Sequence, residues 1–526
     1  MKIPPSSLAL ALALGFAATG AAFAEIRLPS IIGHRMVLQQ KLANPIWGWE
    51  TPGTEVSVSF AGQEKKATAD ASGKWMVKLD PLPASSTPTI MTIKGTNFRQ
   101  LEDVLVGEVW ICSGQSNMQW DVSQTWDGDL EALTARFPHI RLISVPQVGT
   151  QELQDDFQGA WAAATPETVP SFSAVGFYYG RVLHQTLDVP VGLIDNAWGG
   201  SAAEAWIRRD VLDADSRFAT LSEQWKKTEA EYDYAKIKAD HEAKLEEWKK
   251  AAEAAKAEGR PAPGRPWPPQ DLMKGNHRPG NIYAGVLHPT IGYGIKGVIW
   301  YQGESNAGRA WEYRELFPAM ITHWRKEWKQ GDFPFYWVQL ADYMAEKPEP
   351  GESAWAELRE AQTYTQKAIP NGGQAVIIDI GEANDIHPRN KRDVAERLAR
   401  LALHHDYGYS FLPARSPENK EAKFENGKAI ISFTHTGGGL RTLDVNEAKG
   451  FAICGEDRKW VWAEAKIIGE KKDQIEVWSP AVPAPVAVRY AWADNPVNNV
   501  LTTQGLPLTP FRTDNFPLTT QPKPTE

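Results

Sequence analysis

A chain of 526 residues, 42% hydrophobic and 23% charged, has enough apolar material for a packed core and is not a disordered polymer. At roughly 150 residues per domain, about three domains are expected. The formal net charge of −9 argues against a nucleic-acid binder, which needs a broad basic surface to neutralise phosphates.

The first 24 residues read as a secretory signal: Lys2, an apolar stretch around Leu8 to Ala22, and Ala22-Phe23-Ala24 as a small-residue cleavage site. The mature chain is then expected to begin at Glu25 and to be periplasmic or extracellular. No later segment offers the roughly 18 consecutive apolar residues of a membrane helix, so no membrane span is expected. Residues 25–103 carry short alternating runs, such as Thr54 to Phe60 and Ala71 to Val77, and predict an N-terminal β-sandwich-like domain. Over 104–405 the short apolar runs Val104 to Cys112, Val191 to Ile194, Gly297 to Tyr301, Phe335 to Leu340 and Ala375 to Ile380 alternate with helical segments. That order implies a parallel sheet in an α/β layer sandwich.

Ser201-Ala202-Ala203-Glu204 has the form of a capping box and predicts a helix just after Gly199-Gly200; Asn390 with Asp393 predicts another start, before Val394, Leu398 and Leu401. Between them, at about 215–270, a run rich in Lys, Glu and Ala ends in the proline-rich stretch Pro261 to Pro269. It reads as a helical insertion, either a solvated structural pair or a lid beside the active site. Residues 406–516 return to strand patterns, such as Ala429 to Phe433 and Val486 to Tyr490, and predict a C-terminal β-rich domain before a loosely ordered tail at 517–526. Cys112 and Cys454 fall in different expected domains and read as two buried free thiols.

A serine gains nucleophilic power at a turn that ends a strand and opens a helix, where backbone amides can meet an oxyanion. Two segments fit: Ser113-Gly114-Gln115-Ser116-Asn117-Met118 after the Val104 run, and Gln302-Gly303-Glu304-Ser305-Asn306-Ala307 after the Gly297 run. Neither is a complete G-x-S-x-G elbow. Of the 11 histidines, His387 has the most suggestive setting, in the polar loop Glu382-Ala383-Asn384-Asp385-Ile386-His387-Pro388 after the last expected strand of the layer. The order Ser, Asp, His suits triad chemistry on an α/β sheet.

Four blocks together resemble the sialate O-acetylesterase family, carbohydrate esterases of the SGNH-hydrolase class. They are Gly114-Gln115-Ser116-Asn117-Met118; Trp198-Gly199-Gly200-Ser201 with Glu204-Ala205-Trp206; Trp300-Tyr301-Gln302-Gly303-Glu304-Ser305-Asn306; and Asp385-Ile386-His387-Pro388-Arg389-Asn390-Lys391. Pro510-Phe511-Arg512-Thr513-Asp514 resembles the family's C-terminal end. The resemblance implies a flavodoxin-like three-layer α/β/α domain with β-rich flanks, and it selects Ser116 over Ser305 as nucleophile. It implies His387 as base, and an oxyanion hole from the Ser116 amide with Gly199 or Gly200, helped by the side chain of Gln302 or Asn306. Glu304 would lie beside the substrate. The partner implied is an acetylated carbohydrate, with no metal or other cofactor.

The acid departs from the pattern, because SGNH enzymes carry Asp-x-x-His and Asp385 precedes His387 by two residues. Asp385 reaches the ring through a turn, or Asp379, Glu382 or Glu304 substitutes, or the site is a near-dyad. The 22 Trp include Trp110, Trp120, Trp126, Trp198 and Trp300 in or near the blocks, some of them candidates to stack on sugar. Two other readings are an SGNH lipase or thioesterase for longer acyl chains, and a glycan-binding protein that has lost catalysis.

Overall fold

The computed structural model describes residues 25–523; the expected signal sequence lies outside them. The strand Phe98–Gly114 is the backbone of the architecture. Its first half pairs antiparallel with Ser85–Lys94, which leads on to Glu55–Phe60 and Gln63–Thr68, and Val37–Gln39 runs parallel to residues 105–107. Its second half is the centre of a parallel sheet. The order across that sheet is Gly372–Ala375, Phe335–Val338, Gly297–Tyr301, Phe98–Gly114, Val191–Asp195 and Phe137–Ser144, with Ala162–Ala164 antiparallel at the far edge.

Alternation along the strands explains the layers. Trp110, Cys112, Ile299, Tyr301, Tyr336 and Val338 point to the face covered by the helices Ala174–Leu187 and Lys391–Asp406. Their neighbours Val109, Ile111, Val298, Trp300, Phe335 and Trp337 point to the face covered by Ala310–Trp328 and Ala354–Ala368. Strands buried on both faces must be apolar at every position, and Gly297–Tyr301 and Phe335–Val338 are buried throughout. The result is an α/β/α sandwich with added antiparallel β-sheets. Two four-stranded antiparallel sheets, built from residues 418–478 and 451–512, form the C-terminal part around a core that includes Val376 and Ile378.

Three local expectations are corrected. The strand expected at Ala375 to Ile380 is Gly372–Ala375 instead; beyond it Val376 and Ile378 turn into the C-terminal core, and Arg397 holds the Val376 carbonyl and the Asp379 carboxylate. The capping box at Ser201 starts no α-helix. Ser201 Oγ accepts from the Trp206 indole, Glu204 is drawn inward to Asn306 and Arg309, and only a 3-10 turn, Ala203–Trp206, forms. The described part of the tail, 517–523, expected to be loose, is anchored: buried Glu357 accepts hydrogen bonds from the amides and hydroxyls of Thr519 and Thr520. Asn390 does cap the Lys391–Asp406 helix, accepting from the Asp393 amide. Cys112 and Cys454 are both buried free thiols.

The insertion forms the helices Ala219–Glu231 and Tyr234–Ala257. Its root is tied by Tyr232 to Asp271 and by Glu229 to Arg209 and Arg278. The segment that follows reaches the Gly199-Gly200 loop, where Asn276 donates to the Gly199 carbonyl.

Candidate active site

The central strand is the switch point of the sheet, because the chain fills one side of it and then the other, and ligands on such sheets bind at the carboxyl ends there. The strand stops at Gly114, whose φ of +132° puts it in a backbone region that excludes side chains; a Cβ there would lie 2.2 Å from the Tyr301 carbonyl oxygen. The Gln115 amide bonds that carbonyl, and the short helix Ser116–Gln119 begins at once. Ser116 is thus presented at the carboxyl end of the central strand. His387 arrives from the loop after the Gly372–Ala375 strand, and its Nε2 lies 2.8 Å from Ser116 Oγ. The ring is stacked on Trp120, with centroids 4.5 Å apart and planes 16° from parallel. Burial and the positive charge of Lys391 lower the proton affinity of His387, against a smaller opposing pull from Asp385.

Asp385 makes a different contact from the one a triad acid makes. Its Oδ1 accepts from the His387 backbone amide at 2.8 Å and stands 3.7 Å from Nδ1, beyond hydrogen-bond range, with the side chain 45% exposed. The alternatives are engaged elsewhere: Asp379 with Arg397, Glu382 with the Arg389 amide, and Glu304 with Asn117. Among the described residues, Asp385 is the carboxylate within 4 Å of the imidazole. The arrangement is a Ser–His pair with a carboxylate near the ring but unbonded to it.

The side chains expected in the oxyanion hole are not there. Gln302 is buried, donating to the Ser201 carbonyl and to Asn306 Oδ1 and accepting from the Tyr313 hydroxyl. Asn306 is also buried, accepting from the Ala203 amide and donating to Glu204. Glu304 points inward as well, and burial raises its proton affinity. Gln302 and Asn306 share a physical reason, since they satisfy polar groups that the inward-turned Ser201–Glu204 segment would leave unpaired, whereas Glu304 accepts from Asn117. The Gly199 amide donates to Gln119 Oε1 at 2.7 Å. Of the donors expected, the amides of Ser116 and Gly200 are those without a protein acceptor among the described residues. Gly199 lies close to Ser116, since a Cβ on it would lie 3.4 Å from Ser116 Cβ. Ser305 does not meet a base; its hydroxyl donates to the Gly200 carbonyl at 2.9 Å.

Trp110 and Trp300 are fully buried core residues, whereas Trp120 backs the histidine and Trp126, 54% exposed, donates its amide to the Arg389 carbonyl. A cavity of about 190 Å³ lies between Trp126, Tyr178, Arg389 and Arg392. Sequence reasoning gave no role to Asn117, Gln119 or Lys391. One signal was available for the last: a lysine at the first position of a helix opposes the helix dipole and needs a partner. Among the described residues no group of His, Cys, Asp and Glu is placed to hold a metal ion, and no helix is long and apolar enough to cross a membrane.

Residues 283–402 match the family model described as carbohydrate esterase, sialic acid-specific acetylesterase. The chain is 31% identical to the mouse (Mus musculus) sialate O-acetylesterase over 508 residues, covering 89% of this chain and 90% of that protein. It is 31% identical to the human (Homo sapiens) sialate O-acetylesterase over 540 residues, covering 94% and 93%. Among solved structures, a carbohydrate acetylesterase from Xanthomonas citri superposes with a TM-score of 0.78 at 37% identity, covering 94% of this chain and all of that one. A likeness of this strength over nearly the whole length, together with the Ser116–His387 pair on an α/β/α sheet, means that the chain belongs to the sialate O-acetylesterase family of carbohydrate esterases.

Proposed function

We propose that the protein is an exported serine esterase that removes O-acetyl groups from a carbohydrate through an acetyl-enzyme on Ser116. The observation that carries this reading is the 2.8 Å contact between Ser116 Oγ and His387 Nε2 at the switch point of the sheet. His387, whose proton affinity burial and Lys391 lower, takes the Oγ proton as the serine attacks the acetyl carbonyl. The amides of Ser116 and Gly200 are the donors for the tetrahedral oxyanion, a role in which one donor is worth on the order of 10² to 10³ in kcat. The imidazolium gives the proton to the sugar oxygen as its bond to the acetyl carbon breaks, so the sugar leaves as a hydroxyl, and the same histidine then activates the water that releases acetate. Asp385, at 3.7 Å, stabilises the imidazolium by charge and fixes the loop through the His387 amide.

The names of the relatives support an acetylated sugar as substrate, and the exposed Trp126 face with Arg389 beside it is suited to a sugar ring and its hydroxyls. Export rests on the first 24 residues; cell fractionation with mass measurement of the purified protein would find a chain beginning at Glu25, and a retained Met1 would end that part of the reading. The catalytic reading is tested with 4-nitrophenyl acetate, 4-nitrophenyl octanoate and an O-acetylated glycan beside Ser116→Ala. Preference for acetyl substrates that vanishes in Ser116→Ala supports it. Equal rates in the variant, or preference for octanoate, overturn it.

A further inference from the structure

We propose that Asn117, held between Glu304 and Lys391, is the positioning residue that keeps the His387 loop against Ser116, through a buried bracket where a triad would use its carboxylate. This rests on the serine-esterase reading above and adds to it the device that sets the geometry of the pair.

Three segments meet at this side chain. Asn117 follows the nucleophile on the Ser116–Gln119 turn, Glu304 leaves the Gly297–Tyr301 strand, and Lys391 opens the helix after the histidine loop. Asn117 Nδ2 donates to Glu304 Oε1 at 2.6 Å and to the Ile386 carbonyl at 3.0 Å, while its Oδ1 accepts from Lys391 Nζ at 2.5 Å. A lysine only donates and a carbonyl only accepts, so the amide has one possible orientation. The bond to Ile386 acts on the peptide that carries the base.

Stability alone does not explain the group. Asn117 and Lys391 are each 1% exposed, and Glu304 Oε2 is buried without a partner. Lysine and glutamate share the amide without touching, so neither recovers the attraction of a direct ion pair, and well-packed apolar residues would serve a core at least as well. Lys391 Nζ lies 5.4 Å from the Tyr301 ring and 6.0 Å from that of Trp120, the ring on which His387 is stacked. The bracket therefore fixes the ring's backing as well as its backbone. Asp385, outside and 45% exposed, bonds the loop amide and leaves Nδ1 free of it.

The charges have a readable consequence. Facing His387 are Asp385 from its own loop and Lys391 from the helix start, while Glu304, Asp385 and Glu382 act on Lys391. Burial brings Lys391 down to about 7, so below that pH it carries its proton and opposes protonation of the histidine. Removing the lysine charge should move the acid limb of kcat/KM to higher pH, and removing the aspartate charge should move it lower.

The test uses the mature protein and 4-nitrophenyl acetate. Asn117→Ala and the isosteric Asn117→Asp, which can accept from Lys391 but cannot donate to Ile386, should lower kcat by on the order of 10² with KM changed less than about twofold. Lys391→Met with Glu304→Gln, which leaves no lone buried charge but loosens the hold on the Asn117 amide, should lower kcat by about tenfold, less than Asn117→Ala, with the acid limb displaced upward. Wild-type kcat in a folded Asn117→Asp overturns the bracket, as does an acid limb unmoved in the double variant. Turnover that survives Ser116→Ala removes the serine reading instead, a result no bracket variant can imitate.

Discussion

Two turns in this molecule share a pattern and part ways in use. Gly114-Gln115-Ser116-Asn117 and Gly303-Glu304-Ser305-Asn306 each follow a buried parallel strand, and those strands are neighbours in the sheet. At the first, the serine meets His387; at the second, it bonds the Gly200 carbonyl, and Asn306 is consumed by Gln302, Ala203 and Glu204. The second turn braces the loop that faces the first. Which of the two serines meets a histidine is set here by which loop the rest of the chain delivers to it, and local sequence supplies only the candidates.

The largest effect expected from breaking the comparison is on chemistry. Ser116→Ala should cost on the order of 10⁴ or more in kcat, while Ser305→Ala, which loses one hydrogen bond to the Gly200 carbonyl, should stay within about tenfold in steady-state assays. Next come the asparagines. Asn306→Ala removes one hydrogen bond each from buried Glu204, Gln302 and the Ala203 amide, leaving Glu204 with Arg309 and Gln302 with Ser201 and Tyr313, and should destabilise by about 1–3 kcal/mol, seen as a lowered midpoint in denaturant titration. The glycines differ too: Gly114→Ala drives a Cβ into backbone at a positive φ and should cost about 3 kcal/mol or more. Gly303→Ala meets the flexible Leu358 side chain at 2.7 Å and should cost about 1–3 kcal/mol by the same measurement.

Smaller effects sharpen the account of the base. A hydrogen-bonded triad aspartate is worth about 10⁴ in kcat; Asp385→Asn should cost about tenfold, because no bond to Nδ1 is lost. The base works unprotonated, and burial with Lys391 lowers its proton affinity, so the midpoint of the acid limb of kcat/KM should lie below 6.5. A midpoint at or above 6.5 in the pH profile would contradict this.

Much of the fold was legible because strands buried on two faces write themselves as apolar runs, and Gly297–Tyr301 was bounded to the residue. Ala375 to Ile380 misled for the same reason: its apolar residues serve two cores, the sheet's and the C-terminal part's, and a run does not record which. The capping box at Ser201 misled because its glutamate was needed inside, by Asn306 and Arg309. In the site, Ser116 and His387 were legible from loop chemistry and resemblance. Gln302 and Asn306 were not placed correctly, because a motif carries no information about which way an amide faces. Asn117 and Lys391 went unread because their partners lie more than 180 positions away.

The central claim, that Ser116 and not Ser305 carries the acyl group, is tested most directly by rapid quenching of turnover with an activated acetyl ester, followed by peptide mass spectrometry. The account predicts one acetyl group on the peptide containing Ser116, absent from Ser116→Ala. Acetyl on the peptide containing Ser305, or steady turnover by Ser116→Ala with no acetyl-enzyme, would contradict it.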